Sequence, residues 1–111
     1  MQETNPWLKV RLKPYMMTSV TLLNRLDCCA ERLRNVQVRA GLTDSLTNNI
    51  VGTFKGPGTL SGRHIIQFAS SVLVEYMTFQ IIGEQEVLHI NGIRLNEVDA
   101  MGMLRVFTYL L

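Results

Sequence analysis

Hydrophobic and polar residues alternate strictly near the start of the chain. In residues 7–13 three apolar side chains alternate with three basic ones: Leu8, Lys9, Val10, Arg11, Leu12 and Lys13. A period of two residues is typical of a β-strand with one buried face, so this stretch predicts a strand whose outer face is basic. Because proline cannot donate a ladder hydrogen bond, we expect the strand to end at Pro14.

From Thr18 to Ala40 the hydrophobic spacing changes to three and four residues. The positions that follow this spacing are Leu22, Leu26, Cys29, Leu33 and Val36. Such spacing is typical of one face of an amphipathic helix. Thr18 can cap the start of a helix and Gly41 suits its exit. The sequence therefore predicts a long helix over residues 18–40.

The middle of the chain fits two structures. Asp44 followed by apolar residues at 46, 50, 51 and 54 fits a short capped helix. The β-branched and aromatic residues of 49–54 favour a strand instead, and the sequence leaves this choice open. Gly56-Pro57-Gly58 then predicts a turn that ends either element.

The second half favours strands. Residues 63–69 and 71–82 are rich in isoleucine, valine, phenylalanine and threonine, which predicts two strands, although a helix over 70–80 also fits the spacing. Asn91-Gly92 predicts a tight hairpin between 87–90 and 93–95, because this pair suits a type I′ turn. Asn96 can cap a final helix that begins at Glu97 and ends almost wholly apolar.

Together these elements predict an α+β fold in a single domain, residues 1–111. Its sheet would have four or five mostly antiparallel strands, with the long helix and the C-terminal helix packed on one face. A chain of 111 residues buries roughly 65% of its unfolded surface on folding, which is enough for a core without disulfides or metals.

The composition indicates an exposed apolar surface. Hydrophobic residues make up 47% of the chain and charged residues only 18%, against about 25% charged in a typical soluble domain. With six methionines and an apolar C-terminus, this favours contact with another protein or a second copy of the chain. The candidate interface residues are Met103, Val106, Phe107, Tyr109, Leu110 and Leu111.

Charge is distributed unevenly along the chain. Residues 1–40 hold seven basic and three acidic residues, a balance of +4, and residues 41–111 hold four basic and six acidic residues, a balance of −2. On the predicted helix, basic residues seven positions apart would form one stripe. The candidate polyanion-binding residues are Lys9, Arg11, Lys13, Arg25, Arg32 and Arg39. A nucleic-acid-binding regulatory protein is therefore the alternative function.

Catalytic, cofactor and metal sites are not expected. The adjacent Cys28 and Cys29 lack the spacing of zinc ligands, and no nucleophile elbow accompanies the two histidines. On a helix these cysteines could bridge only with strain, which favours a reducing compartment. With no secretory signal and no bilayer-length apolar run, we expect a cytoplasmic protein without a membrane partner. The predicted function is a non-enzymatic regulatory or inhibitory protein-interaction module. Its predicted partners are other proteins or a second copy of the chain, in a homodimer.

Overall fold

Antiparallel β-strands form nearly all the regular structure of this chain. The computed structural model describes residues 3–26, 28–44, 48–60, 62–84, 86–98 and 104–110, with the backbone alone at 96–98, 104–107, 109 and 110. Its strands are β1 (Trp7–Leu23), β2 (Val36–Gly41), β3 (Ile50–Phe54), β4 (Arg63–Ile81), β5 (Gly92–Val98) and β6 (Leu104–Leu110). They pair in the order β3-β2-β4-β1-β5-β6, and a single 3₁₀ turn spans Ala30–Arg32.

The longest ladder joins β1 to β4. It runs from the pair Trp7↔Gln80 to the pair Leu23↔Arg63 and shifts register twice along the way. Pro14 lies in the first shift, between Arg11 and Tyr15, where no ladder hydrogen bond is required of it. β1 therefore continues through the proline, and the two irregularities allow the ladder to bend.

The bent sheet curls around its core. β2 pairs with the last residues of β4, whereas β5 pairs with the second half of β1. The edge strand β3 returns along the first half of β4, so that the Phe54 ring stacks on the His64 ring at 4.6 Å. The largest fully buried side chains include Phe79, Met17, Leu22, Ile66, Met77, Ile81, Ile93 and Leu95.

Two connections cross between the ends of the β1–β4 ladder. Residues 24–35 leave β1 opposite Arg63 and enter β2 opposite Ile81, and residues 82–91 make the reverse crossing to β5. The Arg34 guanidinium on the first connection contacts the Glu86 carboxylate on the second through two hydrogen bonds, Nε to Oε2 at 3.2 Å and Nη2 to Oε1 at 3.1 Å. This bidentate ion pair ties the two connections together.

The predicted long helix is wrong. Residues 18–23 continue β1, residues 36–41 form β2, and of the described residues between them only Ala30–Arg32 make a helical turn. The Asn24 backbone N–H donates to the Gly62 carbonyl instead of entering a helix. Pairing with distant strands therefore overrides the local spacing.

The C-terminal half also differs from the prediction. No described residue after Glu97 is helical, since β5 continues to Val98 and β6 spans Leu104–Leu110. The hairpin at Asn91-Gly92 is wrong as well, because the Asn91 N–H donates to the Leu23 carbonyl and β5 pairs with β1 and β6. The α+β class is thus replaced by an antiparallel sheet fold.

Several predicted strands are confirmed. Residues 7–13 lie in β1, with Leu12 buried and Arg11 and Lys13 exposed. The strand alternative for 49–54 is correct as β3, and the two predicted strands between 63 and 82 form the continuous β4. The helix over 70–80 is wrong, and the short helix does not extend over 50–54, while its start at 45–47 lies outside the described residues.

The closeness of β3 to β4 predicts that a methyl group at Gly52 destabilises the fold. A Cβ there would lie 2.4 Å from the Ile66 Cγ2 and 3.3 Å from the Gln67 carbonyl oxygen. We expect Gly52→Ala to lower the free energy of unfolding by about 1–3 kcal/mol in a urea titration. In the control Gly41→Ala, the new Cβ meets the end of the Asn48 side chain, which can turn away. Equal losses in the two variants would contradict this account of the contact.

The Arg34–Glu86 pair predicts a measurable coupling energy. The Glu86 side chain is only 9% exposed, so removing the arginine leaves a poorly solvated carboxylate. In a double-mutant cycle with Arg34→Met and Glu86→Gln we expect a coupling of about 1–3 kcal/mol in unfolding free energy. The matched pair Arg11–Glu75, whose arginine is 71% exposed, should couple by less than about 1 kcal/mol. A coupling as small at Arg34–Glu86 would show that the pair does not join the connections.

Candidate functional site

The connection that follows β1, loop 24–35, brings two predicted basic residues into one turn. Arg25 is half-buried and Arg32 is exposed. Between them lie the exposed Cys28 and the exposed Leu26, whose side chain is 68% accessible. Arg25, Leu26, Cys28 and Arg32 form the tip of loop 24–35, and because they combine guanidinium donors with exposed apolar surface in one short segment, this tip is the candidate site.

Asn24 fixes the base of this tip. Its side chain is buried, and its Nδ2 donates to the Ala30 carbonyl and to the Thr59 carbonyl, each at 3.0 Å. Its Oδ1 accepts the Arg25 backbone N–H at 2.8 Å. One amide group thus holds Arg25 and Ala30, which lie on either side of the exposed Leu26 and Cys28, and the neighbouring segment 55–62.

The segment 55–62 makes hydrogen bonds to loop 24–35 and approaches its backbone closely. The Gly58 N–H donates to the Leu33 carbonyl at 2.8 Å. A Cβ at Gly58 would lie 2.6 Å from the Asn24 Nδ2 and 2.8 Å from the Ala30 carbonyl oxygen, so only glycine allows this approach. At the far end of the loop the Asn35 N–H donates to the Lys55 carbonyl at 2.9 Å.

The loop backbone itself is unusual at two positions. Cys29, at the start of the 3₁₀ turn, has φ 62° and Asn35 has φ 51°, both in the left-handed region. Leu33 lies between them and is buried in the core, where it anchors the turn. Left-handed residues outside glycine are uncommon and persist where the surrounding contacts determine them.

His64 connects β4 to the same support. Its Nε2 accepts the Thr59 backbone N–H at 3.2 Å, and its ring stacks on Phe54. Burial lowers the pKa of His64 below the usual value of 6.5. The carbonyl oxygen of the same Thr59 accepts a hydrogen bond from the Asn24 Nδ2, so Thr59 links His64 to Asn24.

The chemistry of this tip suits a ligand with both oxygens and apolar surface. A guanidinium offers five N–H donors and no acceptor, so Arg25 and Arg32 are suited to bind ligand oxygens. Leu26 and Cys28 offer apolar contact beside them. Over the described residues, no three His, Cys, Asp or Glu side chains come together in a way that would hold a metal ion.

The other four predicted polyanion-binding residues do not join this site. On β1, Lys9 pairs with Asp44, Arg11 pairs with Glu75 at 3.2 Å, and Lys13 is exposed. Arg39 lies on β2 and donates to the Asn48 carbonyl at 3.0 Å. The predicted single stripe of Arg25, Arg32 and Arg39 is wrong because the helix that would align them does not exist.

The predicted interface residues are only partly placed. Met103 and Leu111 lie outside the described residues. Val106, Phe107, Tyr109 and Leu110 belong to the strand β6 and not to a helix. Their contact role stays a prediction.

Sequence reasoning did not identify Asn24, Gly58 or Thr59 as supports of the site. Asn24 and Asp27 lie within four residues of each other, which is a turn signal that the helical spacing outweighed. The two cysteines lie in this loop and not on a helix, so the helical premise for a reducing compartment is wrong, and a cytoplasmic location stays a prediction. No helix long and apolar enough to span a bilayer occurs in the part of the chain that the structure describes.

Known proteins resemble the chain in sequence. No protein-family model matches it. Fucolectin from Anguilla anguilla is 33% identical over 81 residues, covering 60% of this chain and 51% of the relative. Fucolectin-6 from Anguilla japonica is 31% identical over 93 residues, covering 83% of this chain and 49% of the relative. The chain thus spans about half the length of the curated relatives it matches.

Solved structures superimpose on most of this chain. An f-lectin (fucolectin) from striped bass (Morone saxatilis) serum superimposes with a TM-score of 0.78 at 32% identity, covering 88% of this chain and 34% of that one. The lectin domain of lectinolysin in complex with Lewis B antigen gives a TM-score of 0.66 at 22% identity, over 84% of this chain and 65% of that one. A fucose binding module of Streptococcus pneumoniae gives 0.60 at 21%, over 86% and 66%.

These likenesses correct the predicted function. The similar proteins are lectins, so the predicted regulatory interaction module with protein partners and the nucleic-acid-binding alternative are both contradicted. The names of these relatives denote binding proteins and not enzymes. The antiparallel sheet fold of this chain is also that of the striped bass f-lectin over the superimposed residues.

Proposed function

We propose that this chain is a non-catalytic carbohydrate-binding module that binds fucose-containing glycans at the tip of loop 24–35. The observation that carries the proposal is the likeness to the striped bass f-lectin, at 32% identity over 88% of this chain. The lectin domain in complex with Lewis B antigen and the fucose binding module have the same fold.

The exposed groups of the tip match the chemistry of such a sugar. Fucose is an uncharged ring with several hydroxyl oxygens, a methyl group and an apolar C–H face. The guanidinium groups of Arg25 and Arg32 can donate to the hydroxyl oxygens, and Leu26 can pack against the apolar part. Small-ligand sites commonly combine apolar contact with a few well-placed polar groups.

The loop is also held in one shape before any ligand arrives. The Asn24 side chain and the Gly58 N–H bind main-chain groups at both sides of the tip. A binding loop that is already ordered loses less conformational entropy when its ligand binds. The smaller entropy loss favours binding of a single sugar residue, which makes few contacts.

The proposal predicts that Arg32 contributes to fucose affinity. We expect Arg32→Ala to raise the dissociation constant for a fucosylated oligosaccharide by about tenfold or more, because a hydrogen bond from a charged donor is lost. Isothermal titration calorimetry measures the change. Arg11→Ala is the matched control, since Arg11 is an exposed arginine that pairs with Glu75 on β1 and β4.

Two results would contradict the proposed function. The first is a wild-type chain that is folded and yet binds no fucosylated glycan on an array or in calorimetry. The second is an equal affinity in Arg32→Ala and Arg11→Ala. Binding that is lost in Arg32→Ala alone, with an unchanged unfolding transition, supports the site.

Asn24 should affect both stability and binding. In Asn24→Ala the carbonyl oxygens of Ala30 and Thr59 lose their donor, so we expect the unfolding free energy to fall by about 2–4 kcal/mol. Fucose affinity should fall with it, because the tip loses its base. Asn48→Ala, which removes two hydrogen bonds to Thr43 away from loop 24–35, should lower stability without changing affinity. Full fucose affinity in Asn24→Ala would show that another residue sets the shape of the tip.

A further inference from the structure

We propose that His64 is a positioning residue that keeps loop 24–35 in its sugar-binding shape only while its imidazole ring is neutral, so that acid releases the sugar. This inference rests on the proposed function and adds a pH dependence to it. It follows from a series of hydrogen bonds that links His64 to the tip.

The series has three steps. The Thr59 N–H donates to the His64 Nε2, and the carbonyl oxygen of the same Thr59 accepts the Asn24 Nδ2 at 3.0 Å. The same Asn24 side chain then accepts the Arg25 N–H at 2.8 Å and donates to the Ala30 carbonyl. The orientation of Thr59 therefore affects the Asn24 side chain, which holds Arg25 and Ala30 in the loop.

The first of these bonds requires a neutral ring. A histidine nitrogen accepts a hydrogen bond only when it carries no proton, and both nitrogens of an imidazolium are donors. Stacking on Phe54, with the ring planes 26° apart, limits how far the ring can turn to present another atom. A proton on Nε2 would point at the Thr59 N–H, and the two would repel each other.

Among the described residues next to the His64 ring, no carboxylate is available to stabilise an added proton. The elements packed against the ring are the end of β1 with the start of loop 24–35, the end of β3, the segment 55–62 and the start of β4. Their charged side chains among the described residues 20–26, 50–60 and 62–68 are Arg25, Lys55 and Arg63, all cations. None of these described residues is a carboxylate that could stabilise an imidazolium.

The direction of the pH effect follows from these contacts. Burial lowers the pKa of His64 below 6.5, so the folded form with the Thr59 bond prefers the neutral ring. The bond is fully present above pH 6.5 and is lost as the pH falls through the lower pKa of the folded protein. Binding should therefore be strong at pH 7.5 and weaken progressively below 6.5.

The experiment compares fucose binding at pH 7.5 and pH 5 in four proteins. In the wild type we expect the dissociation constant to rise about five- to tenfold on acidification, the effect of one lost hydrogen bond that holds the site. His64→Gln should bind equally at both pH values, because its amide oxygen accepts the Thr59 N–H and does not titrate. His64→Ala should bind weakly at both. His89→Gln, which alters the other histidine, should behave as the wild type, since His89 is exposed and contacts Asn91.

A second readout needs no sugar. The NMR amide resonances of Thr59 and Arg25 should shift with one common midpoint below pH 6.5 in the wild type and should not shift in His64→Gln. A wild type that binds no fucose at any pH but shows these shifts would refute the proposed function and leave His64 as the residue that orders the loop. Fucose binding with no shift, or a pH dependence that His89→Gln abolishes and His64→Gln retains, would overturn the role of His64.

Discussion

β1 and β4 stay paired from Trp7↔Gln80 to Leu23↔Arg63, although the register shifts twice between these ends. Because the paired strands bend, the chain can cross from one end of the ladder to the other in a dozen residues or fewer, and it does so at 24–35 and at 82–91. The core, the two crossings and the ion pair between Arg34 and Glu86 all depend on this bend. The candidate sugar site is a part of the first crossing.

The sequence predicts the strands of this fold correctly where the residues have an intrinsic preference for strand structure. Residues 7–13 alternate and residues 63–82 are rich in β-branched side chains, and both are strands. The error at 18–40 has a physical cause. Leu22 is buried in β1, Leu26 is exposed in a loop and Leu33 anchors that loop, so residues in three different environments share a helical spacing by coincidence. Pairing with β4 residues that lie 37 or more positions away determined the outcome.

The sequence predicted the two arginines of the site but neither their ligand nor the contacts that hold them. Arg25 and Arg32 stand out as cations in the sequence, and they do lie in one loop. Their ligand does not follow from charge, because a guanidinium can donate either to a phosphate or to a sugar hydroxyl. What places them together is the contact of Asn24 with Thr59, 35 residues away, and the close approach of Gly58. No local pattern encodes either contact.

The supports of loop 24–35 are mostly main-chain groups: the carbonyl oxygens of Ala30, Leu33, Lys55, Thr59 and Gly62 and the N–H groups that meet them. Main-chain groups are the same for every amino acid except proline, which lacks the N–H. Substitutions at exposed tip positions such as Leu26 therefore leave these hydrogen bonds intact and change only the surface that contacts a ligand. Point mutations can therefore change the contact surface of this loop without requiring a new fold.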